Sequence, residues 1–336
     1  MSRPKPTIVP LAKLEPNQFA DCFALLAERK AATTGAGKKY YVCRFRDAGR
    51  TATYMVWADG PYFHACEQDW REGTCYKLRV HYSEHEKYGP QIEVQQIRET
   101  TAADQSDGFD PLQFVPRSRF DSDQMFAELR ALARIGIIDE PLRKLVLVIL
   151  DRYADKLRWL PGSHNKFYPF AGGWLEHTLN VAFSCLHLAD KYRVHYPDLT
   201  PPINRDLLLA GAMLHDIGRA AEFETVTNLG PTPASELIGH LFLGRDIVRD
   251  AARDVPDLNP ELLQLLEHLI VSHLNLPAWG SPRLPLIPES LILHHADDLD
   301  AKVEMYARRL TNDAGPGPFT DRDPILGKPL FKGRTV

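Results

Sequence analysis

The sequence predicts a multi-domain protein in which a small all-β barrel precedes an all-α helical bundle. Apolar residues alternate with period two up to about residue 99, as they do in half-buried strands. From about residue 124 onward they recur at helical spacing instead. Residues 100–123, between these regions, are rich in Asp, Ser, Pro and Gly, which is typical of a linker. With 336 residues, 44% of them hydrophobic, the chain is long enough for two cores.

The β domain is expected to occupy residues 1–99. Its alternating runs lie at residues 39–46, 51–57, 75–82 and 91–97, and a short helix is compatible with residues 62–70. In the first run Tyr41, Cys43 and Phe45 share one face of the strand, which is predicted to pack in the core. Five or so short strands in fewer than a hundred residues favour a small barrel, with the OB-fold as the leading candidate.

The helical domain is expected at residues 124–310. Its apolar runs lie at residues 124–135, 140–153, 175–192, 205–215, 235–252, 260–273 and 288–310. The tail, residues 311–336, contains four prolines and few large apolar residues, so it is predicted to be extended or partly disordered.

Cysteine usage and hydropathy exclude two classes of protein. The five cysteines are scattered and form no CxxC pair, which argues against a disulfide framework or a thiolate zinc site and favours a reducing cytoplasm. No apolar run approaches the ~20 residues that cross a bilayer, and the N-terminus lacks the apolar core of a signal peptide. A cytoplasmic protein without a membrane partner is therefore expected.

Six residues in or beside the apolar helical runs follow the order H…HD…H…H…D. They are His177, His215, Asp216, His240, His273 and Asp297. Imidazole and carboxylate together suit borderline divalent ions such as manganese, iron, nickel or zinc, whereas an all-oxygen set would favour magnesium or calcium. Manganese is the first expectation, and magnesium is kept as a further option. The pair His215 and Asp216 ends a helix too apolar to be exposed, and a cation would remove the cost of burying it. The sequence therefore predicts a site for one or two metal ions.

The segments around these residues resemble those of the HD-domain metal-dependent phosphohydrolases. They are GGWLEHTLNVA (172–182), LLLAGAMLHDIGR (207–219), ELIGHLFLG (236–244), HLIVSH (268–273), GSPRLP (280–285) and LHHADDLDAK (293–302). More narrowly, the chain is similar to the YhaM-type 3'-5' exoribonucleases, in which an N-terminal OB-fold domain precedes the HD domain. The resemblance covers most of the chain.

The resemblance implies two ion positions that share Asp216. The first would be formed by His177, His215, Asp216 and Asp297, and the second by Asp216, His240 and His273. Leu274 stands where the family usually has another histidine, which leaves the filling of the second position open. Arg219 stands where a lysine is common. The predicted catalytic residues are Asp216, Arg219 and Lys302. The side chains of Arg219 and Lys302 are candidates for binding the phosphate.

The predicted function is that of a metal-dependent 3'-5' exoribonuclease, in which a metal-activated water hydrolyses the phosphodiester bonds of single-stranded RNA. Single-stranded DNA is a second candidate substrate. Aromatic and basic side chains of the barrel are predicted to contact the strand. They are Tyr40, Arg44, Arg46, Trp57 and Tyr88. Three alternatives stay open: a phosphohydrolase of small nucleotides or cyclic dinucleotides, a di-iron oxygenase of HD type, and a nucleic-acid-binding protein without activity. An oligomer is compatible with the sequence but not indicated by it.

Overall fold

The computed structural model describes residues 7–226 and 232–333, which group into two compact units. The first contains the described residues up to Pro116 together with Thr225 and Val226, and the second begins at Arg117 and contains the others. All the described strands lie in the first unit, and all the described α-helices except the first lie in the second. The predicted order, a β domain before a helical domain, is confirmed. The domain limits drawn from the sequence at residues 99, 123 and 310 stay predictions.

Five strands of the first unit close into a barrel. They are β1 (Phe19–Thr33), β2 (Lys39–Arg46), β3 (Thr51–Trp57), β4 (Cys75–His85) and β5 (Gly89–Glu99). Their order around the barrel is β1-β2-β3-β5-β4. The long β1 pairs with β4 through its first half and with β2 through its second, and a bulge between Leu26 and Glu28 lies where the partner changes.

Strand β1 does not show the alternation that reveals the other strands, because residues 20–26 are all buried. Cys22 and Leu26 face the barrel core, whereas Phe23 and Leu25 belong to a second apolar cluster on the other face. Phe114, from the segment predicted to be a linker, packs in that second cluster. Part of the segment therefore covers the barrel instead of running free.

The second unit is built of helices, which follow the short α1 (Phe63–Gln68) of the barrel unit. They are α2 (Ser122–Gly136), α3 (Glu140–Arg152), α4 (Ala154–Leu157), α5 (Gly173–His195), α6 (Arg205–Leu214), α7 (Arg219–Glu222), α8 (Pro233–Leu237), α9 (His240–Ala252), α10 (Pro260–Ser272) and α11 (Pro288–Asn312). Aspartate and asparagine side chains cap several of them; Asn204, for example, accepts from the backbone amide of Leu207 at the start of α6.

The apolar run at residues 235–252 is not one helix, as the sequence pattern predicts, but two. The helix is interrupted at Gly239, whose φ of +80° and ψ of 154° lie outside the helical region and are accessible mainly to glycine. The break makes His240 the first residue of α9. Hydrophobic periodicity continues across it, which is why the pattern conceals it.

Two glycines let the helices of the second unit approach closely. A Cβ at Gly211 would stand 2.3 Å from the side chain of Leu269, so α6 and α10 pack tightly there. A Cβ at Gly218 would stand 1.9 Å from the carbonyl oxygen of His240, so the turn after α6 touches the start of α9. These contacts bring the ends of α6, α9 and α10 together.

Beyond Asn312 the described part of the tail contains no helix. Phe319 and Phe331 form an isolated bridge, and Thr320 and Leu330 are buried. Within residues 7–226 and 232–333, no helix combines the length and the apolar content that crossing a membrane requires.

A candidate metal centre of histidines and aspartates

Each of the six predicted metal ligands lies in the helical unit, most of them at a helix end. His177 lies near the start of α5, His215 and Asp216 follow α6, His240 begins α9, His273 follows α10, and Asp297 lies within α11. Five of the six side chains are buried, and that of His240 is partly buried, with 16% exposure. Residues 120 positions apart in the chain, His177 and Asp297, thus meet in one interior site.

One group of donor atoms is formed by His177, His215 and Asp297. The Nε2 atom of His177 lies 3.1 Å from Oδ1 of Asp297 and 3.3 Å from Nε2 of His215. Nε2 of His215 lies 3.8 Å from the same carboxylate oxygen. Donor atoms about 3–4 Å apart are what a single ion requires when its bonds to nitrogen and oxygen are about 2.1 Å long. The three residues can therefore bind one ion together.

A second group surrounds Asp216. Its Oδ1 atom lies 3.3 Å from Nε2 of His240 and 3.7 Å from Nε2 of His273, while its Oδ2 atom lies 3.9 Å from Nε2 of His215. Asp216 thus offers one oxygen to each side. The two groups share His215, and Nε2 of His273 also lies 4.0 Å from Oδ2 of Asp297.

The four histidines point their Nε2 atoms inward because their Nδ1 atoms are occupied. Nδ1 of His215 lies 2.9 Å from the carbonyl oxygen of Ala212, and Nδ1 of His273 lies 2.8 Å from that of Ile270. A carbonyl oxygen only accepts, so we assign the proton to Nδ1 in both rings, which leaves an Nε2 lone pair directed into the site when the ring is neutral. This is the usual arrangement of a metal-binding histidine.

Three inward atoms have no hydrogen-bond partner among the described residues: Oδ1 of Asp216, Nε2 of His240 and Nε2 of His273. When the two rings are neutral, the buried carboxylate oxygen faces two lone pairs, is repelled by both and has lost its hydration. Such groups cost several kcal/mol when nothing compensates them. A divalent cation attracts all three at once, so the donor set fits a borderline transition metal on its own chemistry.

The two histidines of the first group differ in their electrostatics. Burial disfavours the charged ring at both, but at His177 the hydrogen bonds to Asp297 and Asp300 outweigh burial and raise the pKa to about 9. At His215 burial prevails over the attraction of Asp216 and Asp297 and lowers the pKa to about 4. The surroundings of His177 therefore favour a cationic ring, and binding of a metal ion would displace its second proton.

Both aspartates are held in their charged form. Burial opposes this, yet the positive charge of Arg219 and the nearby imidazole of His273 hold the pKa of Asp216 well below its usual range. Burial opposes ionisation of Asp297 too, and His177 with its neighbours lowers the pKa of that carboxyl to about 2. The carboxylates are therefore in the state that binds metal at neutral pH.

Arg219 is placed differently from the expectation that it is free to hold phosphate. Its Nε donates to Oδ2 of Asp216 at 2.6 Å, its Nη1 donates to Glu222 at 3.0 Å, and its guanidinium lies 5.5 Å from the ring centroid of Phe167. With 9% exposure it is surrounded by these partners. Arg219 thus orients Asp216, and its charge is already balanced by two carboxylates.

Lys302 lies on the surface of α11 instead of among the buried donors. Its side chain is 52% exposed and pairs with Asp298 at 2.7 Å. The Nζ atom also lies 5.5 Å from the ring centroid of Trp279. Its phosphate-binding role stays a prediction, from a place beside the centre and not within it.

Two carboxylates that sequence reasoning missed stand behind the ligands. Oδ2 of Asp300 lies 2.7 Å from Nδ1 of His177, and Oε1 of Glu222 lies 3.4 Å from Nδ1 of His240. Asp300 follows Asp297 by three residues, and Glu222 follows Arg219 by three, so each shares a helical face with a residue already singled out. That spacing is the signal that could have revealed them.

Of the predicted strand-binding residues, the structure pairs two and leaves the others apart. Tyr40 and Trp57 lie opposite each other in β2 and β3, with ring centroids 5.0 Å apart, and Lys38 lies over the Trp57 ring. Arg44, on the same strand, is exposed but pairs with Glu28 at 3.2 Å. Arg46 is half-buried and pairs in register with Thr51, at the far end of β2. Tyr88, 63% exposed, lies between β4 and β5 beside His85.

Family models match the helical part of the chain. A model described as the HD domain matches residues 174–302, the range that contains all six predicted ligands. A second model, described as a putative helicase, matches residues 118–221.

Curated relatives extend the similarity to most of the chain. An Oceanobacillus iheyensis protein named 3'-5' exoribonuclease YhaM is 28% identical over 306 residues, 90% of each chain. A protein of the same name from Geobacillus is 30% identical over 247 residues, 72% of each chain. One from Listeria monocytogenes is 28% identical over 232 residues, 69% of this chain and 70% of its own. The chain belongs to the family of the YhaM 3'-5' exoribonucleases.

Proposed function

We propose that this protein is a metal-dependent nuclease that removes nucleotides from the 3' end of single-stranded RNA. The observation that carries the proposal is the set of inward donor atoms on Asp216, His240 and His273, which have no partner among the described residues. Family membership supports the reaction, since the curated relatives are named 3'-5' exoribonucleases. Single-stranded DNA is included as a second substrate to be tested.

The cofactor we propose is a divalent transition metal, manganese first, with iron, nickel, zinc or magnesium able to compete. Mixed imidazole and carboxylate donors support a borderline divalent metal, and the carboxylates in the set suit manganese. The first position has His177, His215 and Asp297, and the second has His240 and His273, with Asp216 between them. Leu274 offers no donor, so we propose that the second position binds more weakly than the first.

The residues divide the work of hydrolysis between them. When bound, the divalent ion provides a nucleophile at neutral pH and neutralises charge on the phosphoryl oxygens. Asp216 holds the two donor groups in register through its two oxygens, and Arg219 fixes the rotation of that carboxylate. Asp300 orients the imidazole of His177. Each of these side chains is buried or nearly so.

We propose that the barrel is an OB-fold and binds the single strand. Five closed strands in the order β1-β2-β3-β5-β4 support the assignment. The half-buried Tyr40 and the exposed Trp57, with Lys38 beside them, offer the aromatic faces and positive charge that single strands require. Arg44, Arg46 and Tyr88 remain further candidates. The free cysteines of the described chain support the proposed cytoplasmic location.

End-labelled RNA tests the proposal. The full chain, stripped of metal and supplied with manganese, should convert a 5'-labelled single strand into a ladder of shorter labelled products. A 3'-labelled strand should instead release its label as a mononucleotide from the first time point. Protein with chelator and the Asp216→Asn variant serve as controls and should leave both strands intact.

Three results would reject the proposal. Release of the 5' label first would reverse the direction, and internal cuts would make the protein an endonuclease. Cleavage of a cyclic dinucleotide, with both RNA strands left intact, would support a small-nucleotide phosphohydrolase instead.

A further inference from the structure

An exposed tryptophan stands on the loop that follows α10. Trp279 ends a single helical turn, Pro277–Trp279, and is 48% exposed. The loop backbone beside it is anchored: the hydroxyl of Ser281, which is 3% exposed, contacts the carbonyl oxygens of Val271 at 3.0 Å and Arg283 at 2.7 Å. An indole face is therefore presented to solvent from a backbone that is itself held by hydrogen bonds.

A single side chain separates this indole from a metal-ligand residue. The ring centroids of Trp279 and His294 are 6.3 Å apart. Nδ1 of His294 donates to the backbone carbonyl of His273 at 2.7 Å, and His294 precedes Asp297 by three residues on α11. The indole thus lies beside the backbone that carries His273, on the side formed by the end of α10 and by α11.

A lysine accompanies the indole. Nζ of Lys302 lies 5.5 Å from the ring centroid of Trp279, and Lys302 follows Asp297 by five residues, about 7.5 Å along the helix axis. Its ion pair with Asp298 is solvent-exposed and hence of little strength. A phosphate approaching from solvent can therefore replace Asp298 as the partner of Lys302.

We infer that Trp279 stacks on a nucleobase of the substrate, in one of the two nucleotides joined by the phosphate that is cleaved, and that Lys302 pairs with a neighbouring phosphate. The inference rests on the proposed function and adds to it a subsite for the base. Aromatic faces bind the bases of single strands without reading their sequence, because every base has a π-face. Such a subsite suits an enzyme that must remove each nucleotide in turn.

The stacking is tested by removing the base from the RNA and the indole from the protein, singly and together. One RNA carries an abasic 3'-terminal nucleotide, a second carries an abasic penultimate nucleotide, and a third is intact. With the wild-type protein, one of the abasic strands should show a KM about 5- to 150-fold higher, the loss expected for one stacked base. With Trp279→Ala the intact strand should be equally impaired, and the abasic strand should lose nothing further.

The same comparison separates stacking from a structural role. If Trp279 only supported the loop, its removal would impair all three strands by the same factor, and the preference for an intact base would persist. That result, or a wild-type protein indifferent to both abasic strands, would overturn the inference. Binding of the strands measured by fluorescence anisotropy in chelator provides a second readout that does not depend on hydrolysis.

Two further variants guard against misfolding. Trp279→Phe keeps an aromatic face and should retain most of the base dependence, whereas Trp279→Leu keeps only apolar bulk and should lose it. Trp159 supplies a matched control, because Lys156 lies 5.7 Å over its ring in another cation–π pair of the helical unit. Trp159→Ala should leave the base dependence at its wild-type value.

The contact of Lys302 with a phosphate is tested by the salt dependence of KM. Lys302→Gln should reduce the slope of log KM against log salt by about 0.7, the change expected for one fewer phosphate contact with a single strand. An unchanged slope would remove Lys302 from the subsite. Failure of the wild-type protein to bind or cleave any strand would instead reject the proposed function itself, so the two failures are distinguishable.

Discussion

Two buried aspartates, one in each unit, put the same side chain to different uses. Asp104 of the barrel unit is 3% exposed; Arg98 donates to its two oxygens at 2.8 and 2.6 Å, and the backbone amide of Thr101 donates at 2.8 Å. Asp216 of the helical unit is 1% exposed, and Arg219 donates to its Oδ2 at 2.6 Å. Its Oδ1 accepts no hydrogen bond from any described residue.

The difference separates a structural carboxylate from one prepared for a ligand. An unpaired buried polar group costs roughly 1–3 kcal/mol, and more when it is charged. Asp104 avoids that cost within its own chain, so it needs no ligand. Among the described residues, Asp216 is left with one oxygen uncompensated next to two imidazole nitrogens, and a cation from solution can complete its environment.

Replacing Asp216 should produce the largest effect. In Asp216→Asn the shared negative charge is gone, and we expect manganese affinity to fall by more than about 100-fold, since losing a residue that merely orients a ligand already costs 10–100-fold. Isothermal titration of the metal-stripped full chain measures this. Asp104→Asn is the matched control and should bind manganese as the wild type does. Equal affinities in wild type and Asp216→Asn would remove Asp216 from the metal centre.

Bound manganese should raise the free energy of unfolding of the protein. At a manganese concentration 100 times Kd, a ligand that binds only the folded state raises the free energy of unfolding by about 2.7 kcal/mol. Scanning calorimetry with and without manganese would show this as a higher Tm for the transition of the helical unit. The shift should be absent in Asp216→Asn, and a shift of wild-type size there would place the bound ion elsewhere.

The carboxylates behind the histidines should matter less than the ligands. Asp300→Asn should weaken manganese binding by about 10–100-fold, because the amide orients the His177 imidazole less firmly. Glu222→Gln should fall at the lower end of that range, since its 3.4 Å contact with His240 is longer. The titration should show no change in Asp151→Asn, a surface carboxylate paired with Arg130. Equal affinities in all three variants would contradict the orienting role.

Asp104→Asn should destabilise the barrel unit without touching the metal centre. Breaking the pairing with Arg98 leaves buried groups partly unsatisfied, and the free energy of unfolding should fall by about 1–3 kcal/mol. Native-state hydrogen exchange of barrel amides provides the measurement. Unchanged exchange rates in β4 and β5 would show that the network does not stabilise the barrel.

The pH dependence of that stabilisation should be the smallest effect. Hydrogen bonds from Arg98 outweigh burial and hold the pKa of Asp104 well below its usual range, whereas in the unfolded chain the carboxyl titrates near about 3.9. The folded state therefore binds the proton less readily, so the stabilisation is complete above about pH 5 and declines as pH falls. The difference in unfolding free energy between wild type and Asp104→Asn should be smaller at about pH 3 than at about pH 6. A constant difference would refute the assignment.

Local patterns predicted several elements to the residue. The runs at 39–46 and 51–57 coincide with β2 and β3 because alternation and a turn are both visible in a few residues. Strand β1 escaped the same reasoning, since residues 20–26 are covered on both faces and alternation is lost. The break at Gly239 escaped it too, because the apolar period continues through the break.

For the candidate site, the sequence showed the types of residue and their order, but not which side chains contact each other. Histidines and aspartates in apolar helical runs are conspicuous, because such groups are costly to bury alone. Asp300 and Glu222 resemble ordinary surface carboxylates until the fold shows which imidazole each one faces. Arg219 resembles a free cation until two carboxylates are found around it.

From the sequence come the β-then-α order, most of the elements and the six residues with metal-binding chemistry, because periodicity and side-chain type are properties of short segments. The three-dimensional packing settles which atoms face each other: close approaches at Gly211 and Gly218 bring the ends of α6, α9 and α10 together, and α5 and α11 add His177 and Asp297. Distances of 3–4 Å between residues far apart in the chain depend on how whole helices pack, and no local pattern encodes them.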